Sequence, residues 1–522
     1  MKSNRRDFIK MASMAGLSLA SANALYAQYK EEEKDFNDLP ERIREYQKNH
    51  KQEFNMSGYA APKISTVRIG IIGTGNRGSH HAATISRVSD VEIKAAADLE
   101  LKRFERIKKN LENTDHNPDY YYGSEDEWKK LCERNDIDLV LITTPTYLHA
   151  RMAVYAMQQG KHVITEVPAA LNIRECWDLV KTSEKTRKHC MMMENYTFMP
   201  FHITTLNMAK QGFLGEIVHG DGAYNTSKMR NNFSKTTYWN MWWLRLYGSR
   251  KGNIYPTHGM GPVAQMMNIN RGDRFDFVVS VESKDFMMKK KAKELAKDDP
   301  FYKEFAKMNY RGNMSSMLIK TKEGSTLNIQ HDATTPSPHN LIHGVYGTEG
   351  SVLYDPPPPR ICTGNHKWAD QKTYNELMEK YKPGLLHKFE SFRKGLGANI
   401  QSGHGGSDLI NVWHIIDCLR TGLPLDQDVY DAAAFSSVVE LSHWSVVNNS
   451  NSIKVPDFTA GAWKINKPNM DINLENGSGD TRVLVIYPVD ELEFIIIIIM
   501  PCFWIPDFVI SNFYFIKSMN ND

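Results

Sequence analysis

One short stretch near the start of the chain constrains the fold more than any other. Val67–Ile72 is an apolar, β-branched run of the length expected for a buried parallel strand. It leads into a turn of the pattern G-x-G-x-x-G, with Gly73, Gly75 and Gly78, and a helical pattern follows. The three glycines allow a tight turn, a close approach of phosphate to the backbone, and close packing of helix on strand. The N-terminus of the helix then offers unpaired N–H groups to a phosphate. The motif predicts dinucleotide binding rather than an ordinary glycine turn in a βαβ unit.

The next strand supports this interpretation. Val91–Ala97 ends at Asp98, about twenty residues beyond the last glycine, where a carboxylate accepts hydrogen bonds from an adenosine ribose. Asp98 favours NAD over NADP, because it repels a 2′-phosphate. Arg77 leaves NADP open as an alternative, since its guanidinium can pair with that phosphate.

Strand and helix patterns alternate from residue 63 to residue 195, which predicts a doubly wound parallel sheet, a Rossmann domain. Further strand patterns lie at 136–141, 161–165 and 190–194. Ligands of such sheets bind beyond the carboxyl ends of the strands. Those ends place the following residues along the cofactor crevice: Thr144, Pro145, His149, Glu166 and Asn195. We interpret His149 as a cofactor contact, with a catalytic role as the alternative.

The character of the sequence changes from residue 196 to residue 476, where we predict a substrate-binding α+β domain with a largely antiparallel sheet. It should cover the open face of the nucleotide domain and form the substrate cleft. Five strand patterns occur: 217–225, 275–282, 316–321, 326–331 and 341–347. The charged run 289–307 predicts a solvated helix, and the tetraproline segment 355–359 an extended linker. Two helical patterns, 404–419 and 430–444, should return to pack on the sheets.

The residues best suited to acid–base chemistry lie in 252–262, where glycine and proline flank Tyr255 and His258. Their spacing in the first turn of a helix points both at one site, and histidine exchanges protons near neutral pH. We predict that they are the catalytic pair; a histidine that merely caps the helix is the alternative. Tyr224 faces the cleft or belongs to the core. Asp408, with residues 404–407, caps a helix or lines the cleft.

The two ends of the chain are predicted to lie outside these domains. Residues 1–27 contain a twin-arginine motif at Arg5 and Arg6, a short apolar region and a small-residue cleavage site. We therefore expect export, with the protein periplasmic or secreted and without a permanent membrane anchor. Residues 28–62 predict a partly helical arm. The apolar tail, 477–522, contains five consecutive isoleucines and then two prolines, and we interpret it as foreign to the evolved fold, for example through a shifted reading frame.

Composition excludes several classes of protein. The net charge of +3 gives no basis for nucleic-acid binding. The six cysteines show no CxxC or metal-ligand spacing, so we predict free thiols and no metal site.

Several motifs together resemble a known family. The nucleotide domain with TTPTYLH and GKHVITEVP is similar to the Gfo/Idh/MocA family of nicotinamide-dependent sugar enzymes. The segments EVPAA, MMMEN, GNIYPTHGMGPVAQ, NIQHDATTP, GHGGSD and GLPLDQDVYDAA resemble the family-109 glycoside hydrolases, the NAD-dependent α-N-acetylgalactosaminidases. The resemblance covers about residues 61–476.

This resemblance implies hydrolysis assisted by a redox step. NAD⁺ takes a hydride from C3 of the sugar, a base removes the C2 proton, the group on C1 is eliminated, water adds, and the hydride returns. NAD is therefore recycled. The implied NAD contacts are Gly73, Gly75, Asn76, Arg77, Gly78, Asp98, Thr146, Tyr147, Leu148, His149, Glu166, Val167, Asn195 and Tyr255. The implied sugar contacts are Tyr224, Arg245, Tyr255, Pro256, Thr257, His258 and His339.

The chain departs from the resembled patterns at three positions. Most Gfo/Idh/MocA oxidoreductases have a catalytic lysine where this chain has Val167, which argues against simple sugar dehydrogenation. Thr226 and His339 replace a histidine and a tyrosine expected near the sugar. Two alternatives remain: an exported NAD(P)-dependent sugar oxidoreductase, and a non-catalytic protein that binds NAD and sugar. By analogy we expect a homodimer formed through the open sheet of the second domain.

Overall fold

A computed structural model describes residues 38–396 and 406–484. The N-terminal domain is built on a six-stranded sheet whose strands all run parallel, in the order β3-β2-β1-β4-β5-β6. Its strands are β1 (Val67–Ile72), β2 (Val91–Ala97), β3 (Asp119–Tyr121), β4 (Leu139–Ile142), β5 (His162–Thr165) and β6 (Cys190–Met192). Its helices are α2 (Asn76–Ile85), α3 (Phe104–Leu111), α4 (Glu127–Cys132), α5 (His149–Gln158) and α6 (Ile173–Thr186), after an N-terminal helix α1 (Leu39–Asn49). This confirms the predicted doubly wound sheet.

The central strands of this sheet are buried on both faces. Every residue of β4 and β5 is buried, and so is every residue of β1 except Arg68. Helices therefore cover both faces, which explains why these strands are uninterrupted apolar runs rather than alternating ones. The sequence order changes direction between β1 and β4, and the crevice at that point faces the second domain.

The second domain is built on an eight-stranded sheet of order β13-β12-β11-β7-β10-β9-β8-β14. All its neighbouring pairs are antiparallel except β7 and β10, which run parallel. The strands are β7 (Ile217–Asn225), β8 (Phe275–Glu282), β9 (Met314–Thr321), β10 (Thr326–Asp332), β11 (Gly344–Gly347), β12 (Ser351–Leu353), β13 (Arg360–Cys362) and β14 (Ile453–Lys454). The α+β class with a largely antiparallel sheet is thereby confirmed.

The second domain also contains helices. They are α7 (Pro200–Lys210), α8 (Met229–Asn232), α9 (Trp242–Tyr247), α10 (Thr257–Met266), α11 (Met288–Asp298), α12 (Gln371–Lys380), α13 (Gly384–Leu396), α14 (Ser407–Thr421) and α15 (Val429–Val447). Helix α10 packs on β7, and α15 packs on both β6 and β8. The prediction that the last two helices return to the sheets is confirmed.

Two predicted segments differ from the structure. The charged run 289–307 is not one solvated helix: α11 ends at Asp298, and two short 3₁₀ turns follow, in which Tyr302 and Phe305 are buried. The tetraproline segment is not a linker, because it is the loop that joins the antiparallel strands β12 and β13. Apolar side chains account for both differences: Tyr302 and Phe305 are buried within the charged run, and Val352 and Ile361 are buried on either side of the proline segment.

The described ends of the chain pack on both domains. The arm that carries α1 reaches Glu184 through the Glu53 backbone N–H and reaches the Tyr430 hydroxyl through Gln52. Residues 478–484 also pack against the fold: Val483 is buried and bridges to Val88. The ordered fold therefore extends past Asn476 to at least Leu484. The predicted export signal and the five-isoleucine segment lie outside the described residues. Across residues 38–396 and 406–484, no helix has the length and apolar character needed to cross a membrane.

Candidate active site

A cleft of about 490 Å³ lies where the carboxyl ends of the parallel strands meet the second domain. This volume is typical of a ligand pocket. Predicted site residues that line it are Gly73, Gly75, Asn76, Arg77, Asp98, Thr144, Pro145, Thr146, Leu148, His149, Glu166, Val167, Asn195, Tyr224, Tyr255 and His258. One continuous cavity thus brings together the dinucleotide motif and the proposed acid–base pair.

The glycine turn has the geometry that a pyrophosphate requires. Gly73 has φ +90°, and a Cβ on Gly78 would lie 1.9 Å from the Gly73 carbonyl oxygen, so neither position accepts a side chain. By contrast, a Cβ on Gly75 would meet nothing within 4 Å and would project into open space. No side chain caps the N-terminus of α2, which starts at Asn76. Its first N–H groups are available to a phosphate oxygen.

Asp98 is held in place at the end of β2. One carboxylate oxygen accepts hydrogen bonds from the backbone N–H of Thr74 at 2.7 Å and from its hydroxyl at 3.0 Å. The other accepts from the Leu99 N–H at 2.8 Å. Burial raises the pKa of Asp98 above its ordinary value. The fixed carboxylate is well placed to accept from a ribose hydroxyl.

The Arg77 guanidinium is held between two carboxylates. Its Nε donates to Glu166 at 2.7 Å, and its Nη1 donates to Asp408 at 3.2 Å. His81 Nε2 lies 2.6 Å from the same Glu166 oxygen. Burial opposes ionisation of Glu166, but the charges of Arg77 and His81 outweigh it and lower the pKa of that carboxyl. The ion pairs direct Arg77 away from the adenosine end, so its pairing with a 2′-phosphate is not supported.

Asp408 joins the second domain to the nucleotide domain. It is 1% exposed and lies in the first turn of α14. Besides Arg77 it contacts His80 Nε2 at 2.8 Å and accepts from Asn195 Nδ2 at 2.9 Å. The sequence left its role open; the structure makes it an interdomain hydrogen-bond acceptor beside the cleft.

His149 holds two loops together. Its Nδ1 lies 2.8 Å from the Pro168 carbonyl oxygen and its Nε2 lies 2.8 Å from the Thr144 carbonyl oxygen. Burial lowers its pKa. Both ring nitrogens are therefore engaged with backbone, and His149 positions the segments that follow β4 and β5 along the crevice.

Three side chains form a hydrogen-bonded chain that ends in the cleft. The Glu194 carboxylate, 0% exposed, accepts from His258 Nδ1 at 2.9 Å. On the other side of the ring, His258 Nε2 lies 3.1 Å from the Tyr255 hydroxyl. Burial, then the charges of neighbouring tyrosine and glutamate side chains, raise the Tyr255 pKa well above its ordinary value. The phenol therefore stays protonated at rest and can pass a proton to the imidazole.

Glycines on β7 and α10 allow the hydrogen-bonded series Glu194–His258–Tyr255 to form. A Cβ on Gly222 would lie 1.8 Å from the Gly259 carbonyl oxygen, so helix and strand are in backbone contact. A Cβ on Gly261 would lie 2.3 Å from Glu194 Cγ. The sequence analysis missed Glu194, although it ends the strand pattern 190–194; its contact with His258 depends on this interdomain packing.

Aromatic side chains form the wall of the cleft on the second-domain side. The rings of Tyr224 and His258 lie 5.0 Å apart, and burial raises the pKa of Tyr224 to about 12. Trp243 stacks on Trp242 at 4.3 Å and meets Tyr255 edge-on at 5.0 Å. Such faces suit the C–H surface of a sugar. The sequence analysis assigned these tryptophans no role.

Some predicted site residues do not line the cleft. Arg245 donates to Glu304 at 2.7 Å and to the Asn240 carbonyl oxygen at 3.0 Å. His339 is exposed at the rim, with its ring 5.6 Å from Tyr224. The others are Gly78, which packs against Gly73 inside the nucleotide domain, Tyr147, which belongs to a buried apolar cluster with second-domain residues such as Leu244 and Phe305, and Pro256 and Thr257, at the start of α10.

The residues present fit a nicotinamide dinucleotide. The open space at Gly75, the free start of α2 and the ordered Asp98 agree with that ligand. In addition, the Thr146 hydroxyl is buried on the cleft without a partner in the described part of the chain, so it can bond a ligand. Among the described residues, no group of three histidine, cysteine or acidic side chains has the geometry of a metal site.

A parallel dinucleotide-binding sheet joined across a cleft to an open antiparallel sheet defines the class of Gfo/Idh/MocA-like, NAD-binding two-domain proteins. Residues 67–194 match the family described as "Oxidoreductase family, NAD-binding Rossmann fold". Residues 201–465 match "Glycosyl hydrolase 109, C-terminal domain". The chain belongs to glycosyl hydrolase family 109, and it is therefore an NAD-binding glycoside hydrolase.

Curated relatives support the same assignment. The α-N-acetylgalactosaminidase of Shewanella oneidensis is 41% identical over 428 residues, which cover 79% of this chain and 89% of that protein. The family-109 protein of Shewanella woodyi has the same identity and coverage. Among solved structures, levoglucosan dehydrogenase in complex with NADH and levoglucosan matches with a TM-score of 0.58 and 17% identity, over 75% of this chain and 100% of that one. At that identity the likeness shows the fold alone.

Proposed function

We propose that this hydrolase removes a terminal α-N-acetylgalactosamine from a glycan or glycoside by a redox-assisted elimination. The observation that carries the proposal is the Glu194–His258–Tyr255 chain, which opens into the same cleft as the dinucleotide turn. The sugar specificity is supported by the Shewanella oneidensis relative, which is named α-N-acetylgalactosaminidase.

When bound, NAD⁺ would supply a reversible hydride acceptor for C3 of the sugar, so that C3 could become a ketone and later be reduced again. The C3 ketone acidifies the C2–H bond, so loss of that proton expels the group on C1, and water then adds to C1. In this chain the C2 proton passes to Tyr255, whose own proton moves over 3.1 Å to His258 Nε2 and later returns to C2. The O3–H proton released with the hydride goes to solvent and comes back with the hydride, and the leaving oxygen takes its proton from the water that gives hydroxide to C1. Glu194 stabilises the imidazolium that results.

The carboxylates near this site argue against the ordinary glycosidase mechanism. That mechanism needs two carboxyl groups that flank the scissile bond. Glu166 is ion-paired with Arg77, and Glu194 is fully buried against His258. Neither is free to donate to a leaving group or attack a sugar, so a proton relay beside a hydride acceptor is the better explanation.

The test uses purified holoenzyme with an aryl α-N-acetylgalactosaminide in D₂O. We expect aglycone release, deuterium at C2 of the product, and no lasting absorbance from NADH. Release without deuterium at C2 would reject the elimination route. Lasting NADH with an oxidised sugar and no aglycone would identify an oxidoreductase, and binding of NAD and sugar without any release would identify a non-catalytic relative.

We also propose export through the twin-arginine pathway, since that pathway carries folded proteins and a recycled dinucleotide must be loaded before export. The support is the twin-arginine motif in residues 1–27. Replacing Arg5 and Arg6 with lysines should retain the protein and its bound NAD in the cytoplasm, as measured by cell fractionation. Unchanged export would contradict the proposal.

A homodimer through the open face of the second sheet is our proposal for the assembly. On that face Val281 is 52% exposed and Leu318 is 54% exposed, on the neighbouring strands β8 and β9. Exposed apolar side chains on the open face of a sheet favour association. Light scattering should give twice the chain mass for the wild type and a monomer for Leu318→Lys; a wild-type monomer would refute it.

A further inference from the structure

The second domain contributes two polar side chains to the cleft that the proposed mechanism does not use. Lys228 immediately precedes α8, and Asn232 is its last residue. The Asn232 N–H donates to the Lys228 carbonyl oxygen at 2.8 Å, so one helical turn separates them and their side chains share a face. Both line the cleft.

Asn232 is buried with an unused donor. Its side chain is 2% exposed, and its Nδ2 has no hydrogen-bond partner in the described part of the chain. An unpaired buried amide is destabilising, so such a group normally has a ligand or an ordered water as its partner. Asn232 also lines the cleft, so a ligand in the cleft can supply that partner.

Lys228 is a cation without a countercharge. No acidic side chain of the described residues forms an ion pair with it, and its ammonium lies 5.9 Å from the centre of the Tyr224 ring. Its backbone is fixed, since its N–H donates to the Ala333 carbonyl oxygen at 2.9 Å. Arg77, the cation nearest the glycine turn in sequence, is already bound by Glu166 and Asp408. An anion on the second-domain side of the cleft would therefore find its positive charge at Lys228.

The segment that follows α8 contacts the start of the dinucleotide-binding helix. Asn76 Nδ2 donates to the Thr237 carbonyl oxygen at 3.4 Å, and Asn76 Oδ1 accepts from Arg106 at 2.9 Å. Thr237 also lines the cleft. This segment of the second domain therefore lies next to the N-terminus of α2, whose N–H groups can bind a phosphate.

We infer that Lys228 and Asn232 form an anion-binding pair, which holds an anionic oxygen group in the cleft. Two sources present that chemistry: the pyrophosphate of NAD and an acidic group on the glycoside. If the anion is the pyrophosphate, the pair holds the recycled cofactor from the side of the second domain. If the anion is an acidic group on the glycoside, the substrate class is anionic; this case deepens the proposed function and rests on it.

The test compares the full-length holoenzyme with Lys228→Met and Asn232→Ala. The matched control is Lys235→Met, because Lys235 is ion-paired with Asp299 and does not line the cleft. Bound NAD is measured by chromatography of denatured protein after prolonged gel filtration. Loss of NAD at least about tenfold faster in both cleft variants, but not in the control, assigns the pair to the pyrophosphate.

The second arm applies to variants that retain NAD. A drop of about tenfold in kcat/KM for sulfated or uronic-acid-bearing glycosides, with neutral aryl glycosides unchanged, assigns the pair to the substrate. Normal NAD retention together with normal kinetics on both substrate types would overturn the inference. NAD retention is independent of hydrolysis, so failure of this inference is distinguishable from failure of the proposed function. Unchanged melting temperatures of the NAD-free variants exclude misfolding as the cause.

Discussion

Replacing Glu194 with glutamine tests the proton relay most directly. The carboxylate is fully buried and accepts from His258 Nδ1 at 2.9 Å and from the Tyr196 N–H at 3.1 Å. Glutamine keeps the shape but removes the charge. The side-chain NH₂ group of the glutamine would also face either the His258 Nδ1–H or the Tyr196 N–H, and both of these donors need an acceptor.

The expected size of the effect follows from these contacts. A hydrogen bond to a charged group contributes about 1.5–3 kcal/mol. If that stabilisation is made when His258 becomes protonated in the transition state, its loss corresponds to roughly a ten- to hundredfold decrease in kcat/KM.

The assay is aglycone release from an aryl α-N-acetylgalactosaminide across a pH series, with bound NAD measured in parallel. Glu440→Gln is the matched control, since Glu440 is also a buried glutamate but accepts from the Ile173 N–H outside the cleft. Activity of Glu194→Gln within about twofold of wild type would refute the role of Glu194. A comparable loss in Glu440→Gln would attribute the effect to burial alone.

Three further predictions address the relay, the cofactor turn and stability. Tyr255→Phe should lower aglycone release by about a hundredfold or more while bound NAD is unchanged, because the proton loses its path to the imidazole; normal turnover would contradict this. Gly75→Ala should weaken NAD binding in calorimetry without lowering the melting temperature, whereas Gly78→Ala should lower it, since only the second Cβ meets the fold; equal effects would contradict the assignment. His414 and Asp426, 2.6 Å apart and buried, form an ion pair; burial opposes the imidazolium, but Asp426 outweighs burial and raises the His414 pKa well above 6.5. The stabilisation by this ion pair is complete below about pH 6.5 and is lost as the pH rises through the folded-state pKa of His414. The melting temperature should therefore fall over that pH range, and it should fall less steeply in the double variant His414→Gln, Asp426→Asn. Parallel curves of melting temperature against pH for the two proteins would contradict this prediction.

Much of the framework was predictable because it depends on local pattern. The bounds of β1, β2, β7 and β8 agree with the sequence pattern residue for residue, since each is a distinct apolar or alternating run. The strands β3, β12, β13 and β14 were missed. Each is only two or three residues long, so no period in the sequence marks it; β12 and β13 form a hairpin, whereas β14 pairs with the distant strand β8.

The sequence by itself determined the nucleotide domain, the dinucleotide turn and the pairing of Tyr255 with His258, because strand, glycine spacing and the first turn of a helix are local properties. Only the tertiary structure placed Glu194 beneath His258 and Asp408 beside Arg77, since these contacts join residues 64 and 331 positions apart. It likewise showed that Arg245 is occupied by Glu304 and Asn240. The partner that a charged side chain takes in a packed interior depends on which other charges the fold buries next to it, and that information is spread over the whole chain.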